Sequence, residues 1–280
     1  MATPRSESPA PADLGTGAIL PFLAITFGLS WGILGLWMAA PGPMAALFGE
    51  ISGSNPSFLL AVYAPAIAAL VLVLARGGRA GLARFLGRLL LWRCAPGWYL
   101  VLLVGMPAAF VAGALVKGAS LTEPLAVGWG PLLGLVALRS LTGPVEELGW
   151  RGVLQPLLQR HMAPLWAGLA VGTVWGVWHL PAFFLSGTPQ SAWGFLPFLA
   201  GSVAVGVIVT GMVNAARGSL LLPVLAHAQL NSPLWPDAQP NDTVFFVALA
   251  ALVVALDARA MFTRTGAATA VIPPVSDPLR

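Results

Sequence analysis

Charge is scarce in this sequence, and its scarcity excludes an ordinary soluble domain. Of the 280 residues, 9% are charged and 58% are hydrophobic, whereas soluble domains contain about 25% charged residues. The mean hydropathy is +0.84. The apolar residues form runs of about 17 to 25, the length with which an α-helix crosses a hydrocarbon core about 30 Å thick. The sequence therefore predicts an all-α fold, a polytopic bundle of membrane helices.

Cysteine and histidine are nearly absent as well. Cys94 is the single cysteine, so an intramolecular disulfide is excluded and redox chemistry is not expected. Three histidines are too few for a metal-storage tract. The sequence also lacks a glycine-rich phosphate loop, a serine or cysteine nucleophile at a convincing spacing from a base, and a membrane pair of aspartates. The candidates for a functional site are therefore the few polar residues inside the apolar runs.

The basic residues are distributed as in a membrane protein. Fourteen Lys and Arg against ten Asp and Glu give a net charge of +4, a balance that in a soluble protein would suggest nucleic acid. Here five arginines fall between two apolar runs, where positive charge sets orientation and meets anionic lipid: Arg76, Arg79, Arg84, Arg88 and Arg93. We therefore expect membrane lipid as a partner and no nucleic acid.

The apolar runs predict eight spans. They are 18–40, 57–75, 97–116, 125–158 with a break at Gly143-Pro144, 164–185, 193–213, 219–234 and 243–262. If the arginine-rich loop after the second span is cytoplasmic, alternation places nearly every other basic residue on the same side and leaves Lys117 on the opposite one. We expect an integral protein of the bacterial cytoplasmic membrane with both termini in the cytoplasm.

One membrane domain is expected, flanked by two tails. The sequence predicts a disordered tail over residues 1–17, a single transmembrane domain over 18–262 and a flexible C-terminal tail over 263–280. The motifs fall within about 125–234 of the transmembrane domain. Two spans within that domain are irregular, because Pro144 and Pro156 interrupt the fourth, and Pro223 and Pro233 the seventh. Broken helices at membrane depth are tolerated where they line a cavity.

The stretch TGPVEELGWRG places Glu146, Glu147 and Arg151 inside the fourth run. An ionisable side chain within a span costs roughly 2.5 to 3.5 kcal/mol, so it usually marks a site or a buried pair. Glu147 and Arg151 have the i,i+4 spacing of a pair on one helical face. One alternative is that the glutamates only cap the helix after Pro144. The functional interpretation is that Arg151 holds Glu147 and leaves Glu146 free to accept a proton.

Two histidines also lie inside apolar spans. His179 follows Trp175 by one helical turn, and His227 precedes Asn231 by one turn on the same face. Taken singly, His179 can equally be a satisfied core residue without a function, and His227 can equally serve only to hydrogen-bond a neighbouring helix. The third histidine, His161, sits beside Arg160 in a loop.

These residues form three ordered motifs. EELGWR matches EExxxR, WGVWH approximates FxxxH with Trp175 where phenylalanine is usual, and HAQLN matches HxxxN. Over about 125–234 the chain resembles the CPBP family of intramembrane endopeptidases, which includes the CAAX prenyl protease Rce-type enzymes and bacterial Abi proteins. The resemblance implies an intramembrane protease acting on a peptide or on a lipidated or membrane-anchored protein. We expect Trp175 to alter pocket shape more than chemistry.

Peptide hydrolysis needs an activated water, a proton for the leaving amine and donors for the oxyanion. Glu146 and His179 can supply the first two, His227 and Asn231 can donate to the oxyanion, and the resemblance implies the same roles. We expect Glu147, Arg151 and Trp175 to be supporting residues of this catalytic set.

A catalytic zinc, held by Glu146, His179 and His227, is the alternative mechanism, although HExxH is missing. We favour a metal-free reaction that needs no cofactor, because an asparagine suits an oxyanion better than zinc.

Two other functions compete with hydrolysis. Intramembrane carboxylates and histidines also relay protons in transporters, but the polar residues of this chain cluster in its second half, without inverted repeats. A non-catalytic immunity or binding protein with the same fold is the other alternative.

Overall fold

The computed structural model describes residues 13–274, and within this range the chain consists of helices and connecting loops, with no strand. The α-helices are α1 (Ile19–Ala39), α2 (Pro41–Phe48), α3 (Pro56–Val62), α4 (Ala64–Gly87), α5 (Pro96–Leu100), α6 (Met106–Lys117), α7 (Trp129–Thr142), α8 (Glu147–Gly149), α9 (Gln155–Gln159), α10 (Pro164–Trp178), α11 (Phe195–Ala215), α12 (Leu221–Leu230), α13 (Asp242–Leu256) and α14 (Ala258–Phe262).

The described helices confirm an all-α integral membrane protein. Five continuous helical segments are long and apolar enough to cross a bilayer: Thr16–Ala39, Ala64–Leu90, Pro96–Lys117, Pro164–Phe184 and Phe195–Ala215. The helices α12 and α13 are apolar but shorter. Eight spans therefore stay a prediction. The boundaries of the three predicted domains stay a prediction as well, and residues 1–12 and 275–280 of the two tails lie outside the described range.

The arginine-rich segment after the second span is a helix, not the loop predicted for it. α4 continues beyond residue 75 to Gly87 and carries Arg76, Arg79 and Arg84, as two helices joined at a kink at Gly78, where φ is 57°. The prediction was wrong because arginine, alanine and leucine favour a helix even outside the bilayer. The charge of a segment sets its side of the membrane and does not determine its backbone.

One end of the bundle collects the basic residues, and we call it the arginine end. The carboxylate of Asp13 accepts from Arg160 Nη2 at 2.6 Å and from the backbone N–H of Ile272 at 2.7 Å. Arg84 donates to the carbonyl of Pro273, and Arg264 donates to the carbonyl of Arg160. These contacts hold Arg264, Ile272 and Pro273 of the C-terminal segment against the bundle.

The buried side chain of Arg88 donates hydrogen bonds to backbone carbonyls that Pro156 leaves without a donor. A proline has no N–H, so it cannot bond the carbonyls of Arg151 and Gly152 that lie one helical turn before it. Arg88 donates to both, at 3.2 and 2.8 Å, and also to the carbonyls of Gly218 and Val271. The helix widens into a π-helical turn over Trp150–Leu154 beside these bonds. The predicted irregularity at Pro156 is therefore present, one turn earlier than the proline itself.

Small residues bring α10 and α11 into close contact. A Cβ on Gly172 would lie 2.7 Å from Val203 Cα, and a Cβ on Gly206 would lie 2.7 Å from the Gly168 carbonyl oxygen. Glycine at these positions allows the two backbones to approach, as is typical of membrane helices. This packing fixes the end of α10, where His179 lies.

Replacing Arg88 tests the role of the buried guanidinium. We expect Arg88→Met to lower the free energy of unfolding by roughly 2 kcal/mol or more, because several buried carbonyls lose their charged donor. Thermal unfolding of the purified protein in detergent measures the change. Arg259→Met, at an exposed arginine of the same end, is the matched control and should unfold like the parent. Equal melting temperatures for the two variants would contradict the assigned role.

Candidate active site

Glu146 is buried and held by two indoles. It ends the 3₁₀ turn Gly143–Glu146 that follows α7, as the predicted break at Gly143-Pro144 requires. Its Oε2 accepts from Trp175 Nε1 at 2.8 Å and from Trp150 Nε1 at 3.3 Å. Glu146 stands at the N-cap of α8 and makes no capping hydrogen bond there, so the capping alternative does not describe it.

Glu147 has different partners from its neighbour. Its Oε1 accepts from Arg151 Nη1 at 3.1 Å, and His227 Nδ1 lies 2.7 Å from the same oxygen. Glu147 and Arg151 are both fully buried, and the predicted i,i+4 pair is confirmed. The Arg151 guanidinium also lies 5.1 Å from the centre of the Trp175 ring. One glutamate is therefore paired with a cation, and the other is bonded by indole N–H groups.

His179 ends α10 with one ring nitrogen already occupied. Its Nδ1 lies 2.8 Å from the backbone carbonyl oxygen of Trp175. A carbonyl only accepts hydrogen bonds, so Nδ1 carries a proton, and in the neutral ring Nε2 is left as an acceptor. The backbone thereby selects the tautomer that a base or a water-ordering group requires.

His227 and Asn231 lie together over Gly143. They occupy one face of α12 and its C-terminal end, as their spacing predicts, and the backbone N–H of Asn231 donates to the carbonyl of His227. A Cβ on Gly143 would lie 1.8 Å from Asn231 Nδ2 and 3.4 Å from His227 Nε2. Because Gly143 has no side chain, the Asn231 amide can occupy the space that a Cβ would take.

A cavity of about 750 Å³ collects the predicted catalytic side chains. Its wall includes Glu146, His179, His227 and Asn231, together with Trp175. Glu147 and Arg151 are absent from that wall and lie behind it, in contact with His227 and Trp175. The structure therefore brings together residues from three separate stretches of the chain.

Trp175 contacts most of this set, and our expectation for it was incomplete. Its ring centre lies 5.4 Å from those of His179 and His227. Its indole N–H bonds Glu146, which a phenylalanine cannot do. The exchange of phenylalanine for tryptophan in this motif therefore changes the surroundings of the carboxylate as well as the shape of the cavity.

The sequence analysis missed one buried acid in the cavity. Asp242 directly precedes the predicted span 243–262, and in the structure it begins α13 as a buried residue and lines the cavity. Its Oδ1 has no hydrogen-bond partner among the described residues. An acidic residue directly before an apolar run was the available signal, which is also the ordinary pattern of a helix start.

The donors needed for zinc are not arranged as a metal site. Among residues 13–274, no group of three or more His, Cys, Asp or Glu side chains has the geometry to hold a metal ion. Nδ1 of both His179 and His227 is engaged in a hydrogen bond, which leaves Nε2 as the free nitrogen of each ring. Glu146, His179 and His227 therefore do not form a ready metal site in this arrangement, and the metal-free reaction and its zinc alternative both stay predictions.

Comparisons with known proteins identify the same part of the chain. Residues 128–232 match the family model described as type II CAAX prenyl endopeptidase Rce1-like. CAAX prenyl protease 2 of Methanococcus maripaludis is 28% identical over 137 residues, which cover 45% of this chain and 51% of that relative. The chain thus matches about half of the relative's length. All three motifs lie within residues 128–232, and the comparisons confirm the resemblance to the CPBP family of intramembrane proteases.

Proposed function

We propose that this chain is an intramembrane endopeptidase that cuts a peptide bond of a membrane-anchored protein with a water activated by glutamate and histidine. The observation that carries the proposal is that Glu146, His179, His227 and Asn231 line one cavity. The names of the matched family and of the archaeal relative support peptide hydrolysis at a membrane. They do not assign prenylated proteins to this chain as substrates.

Glu146 and His179 divide the activation of water between them. The carboxylate of Glu146 takes a proton from the attacking water, and His179 Nε2 accepts the second hydrogen bond of that water. The proton on Glu146 then passes to the leaving amide nitrogen, which completes the proton balance. The two indole N–H groups fix the direction of the carboxylate, and an oriented base is more effective than a mobile one.

His227 and Asn231 supply the donors for the developing oxyanion. Asn231 Nδ2 donates directly, and His227 donates from Nε2 when its ring carries both protons. The charge of that ring is balanced by the carboxylate of Glu147, which lies 2.7 Å from Nδ1. Donors fixed before the reaction lower the barrier because they need no reorganisation. Glu147 and Arg151 are therefore positioning residues that act through His227.

Replacing the proposed base tests the reaction itself. We expect Glu146→Gln to lower the rate of cleavage by about 100- to 10,000-fold, the contribution of a general base, while binding persists. The measurement uses purified protein in liposomes and a quenched-fluorescence peptide library. Glu123→Gln, at an exposed carboxyl outside the cavity wall, is the matched control and should cleave at the parental rate.

The other outcomes of that experiment identify the competing functions and the metal mechanism. Proton-coupled flux that is lost in Glu146→Gln, without any cleavage by the parent, indicates a transporter. Binding without cleavage or flux indicates a non-catalytic member of the fold. Cleavage that a chelator abolishes and zinc restores would overturn the metal-free reaction.

Gly143→Ala tests the position of Asn231 without removing any polar group. Alanine suits the helical φ of −65° at this position, and the group that must move is the end of the Asn231 side chain, so we expect little change in the stability of the fold. Its Cβ, however, would occupy the place of the Asn231 amide. We expect kcat to fall by roughly 100-fold or more, as after loss of an oxyanion donor, with an unchanged melting temperature. Gly134→Ala, where a Cβ meets open space, is the control and should retain full activity.

Trp175→Phe restores the usual motif and removes one hydrogen bond. Loss of a bond to a charged acceptor is worth about 1.5 to 3 kcal/mol, so kcat should fall roughly 10- to 150-fold, with little change in KM. Trp166→Phe, at an exposed tryptophan of the same helix that is absent from the cavity wall, is the matched control. Equal activity of the two variants would show that the Trp175 bond does not orient Glu146.

A further inference from the structure

The arginine end of the bundle is closed by packed side chains. Between that end and Glu146 the chain buries Trp150, Val153, Leu154 and Leu157, each at most 1% exposed. Nearer the surface, Gln159 and Asn214 exchange two hydrogen bonds of 3.0 and 2.7 Å. Beside them Arg88 donates to four backbone carbonyls, and a separate cavity of about 360 Å³ at this end shares no lining residue with the candidate site. Among the described residues, these buried side chains separate the arginine end from the candidate site.

The cavity opens at the other end, which we call the loop end. Its wall includes residues from three connecting loops at that end: Gly53 and Ser54, then Gly187, Pro189, Gln190 and Trp193, then Ser232, Pro233, Asp237 and Gln239. α10 starts at the arginine end, so at 1.5 Å per residue its last residue lies about 21 Å away, and His179 follows it. In a hydrocarbon core of about 30 Å, the candidate site is nearer the loop end.

The charges at the two ends identify the sides of the membrane. Nine described arginines lie in segments at the arginine end: Arg76, Arg79, Arg84, Arg88, Arg93, Arg160, Arg217, Arg259 and Arg264. At the loop end Lys117 is paired with Asp237 at 2.8 Å. Arg139 and Arg151 lie within the helices between the two ends. Because segments rich in arginine and lysine stay in the cytoplasm, the loop end faces the opposite side.

We propose that substrate enters the cavity from the side of the membrane opposite the cytoplasm. The substrate class, which rests on the proposed function, is then a membrane-anchored polypeptide whose scissile segment is displayed on that outer side. A lipidated C-terminus presented in the cytoplasm would meet the packed arginine end. The access route itself follows from the cavity and the charges, and it holds whether or not the cavity hydrolyses peptides.

Cysteine labelling tests the access route directly. In a Cys94→Ser background, Ser54→Cys marks the rim of the cavity, Ser202→Cys its interior, and Thr265→Cys the exposed arginine end. Each variant is treated with a membrane-impermeant cationic thiosulfonate in sealed right-side-out and inverted vesicles. We expect the cysteines at 54 and 202 to label in right-side-out vesicles and to lose that labelling in inverted ones. The cysteine at 265 should show the reverse pattern.

Every other pattern overturns the inference. Labelling at 202 that follows the pattern of 265 places the entrance on the arginine side, and a cysteine at 202 that labels in neither preparation shows a closed cavity. Labelling at 54 only in inverted vesicles reverses the orientation of the whole chain. Melting temperatures of the three variants exclude misfolding. The expected pattern combined with unimpaired cleavage by Glu146→Gln would refute the proposed function and leave the access route intact.

Discussion

The shared carboxylate of Glu147 is the interaction on which the arrangement of the site depends. It is buried with Arg151 on the same helical face and also bonds His227 from a distant helix. A buried charge is strongly unfavourable unless it is paired and hydrogen-bonded. The hydrogen bond between Glu147 and His227 therefore holds α12 against the turn after α7. That contact places His227 and Asn231 beside Gly143. The buried carboxylate of Glu147 thus determines where His227 and Asn231 lie.

Trp175 links the other half of the site to this pair. Its backbone carbonyl sets the tautomer of His179, its indole N–H bonds Glu146, and its ring face lies beside Arg151. The close packing of α10 on α11 keeps the tryptophan in place. Two adjacent glutamates consequently meet different surroundings, one polar and cationic, the other made of indoles. Such a difference allows neighbouring carboxylates to take different roles.

The irregular backbone beside the site is compensated at the arginine end. Pro156 leaves carbonyls without donors, and in a membrane no water is available to bond them. Arg88 reaches them from the end of α4, and the same guanidinium bonds the segments around Gly218 and Val271. A single cation thus supplies the donors that the broken helix lacks and ties that helix to two other segments at one end of the bundle.

The sequence by itself determined the membrane-helix class, the break at Gly143-Pro144, the Glu147–Arg151 pair and the stretches that carry the polar residues. These follow from composition and from spacing along one helix, which are local properties. It did not determine that the arginine-rich segment is helical, that Asp242 lines the cavity, or that Trp175 bonds Glu146. Only the tertiary structure decided which indole and which carboxylate meet and how closely Asn231 approaches Gly143. Those contacts join residues far apart in the chain, and their distances depend on how whole helices pack.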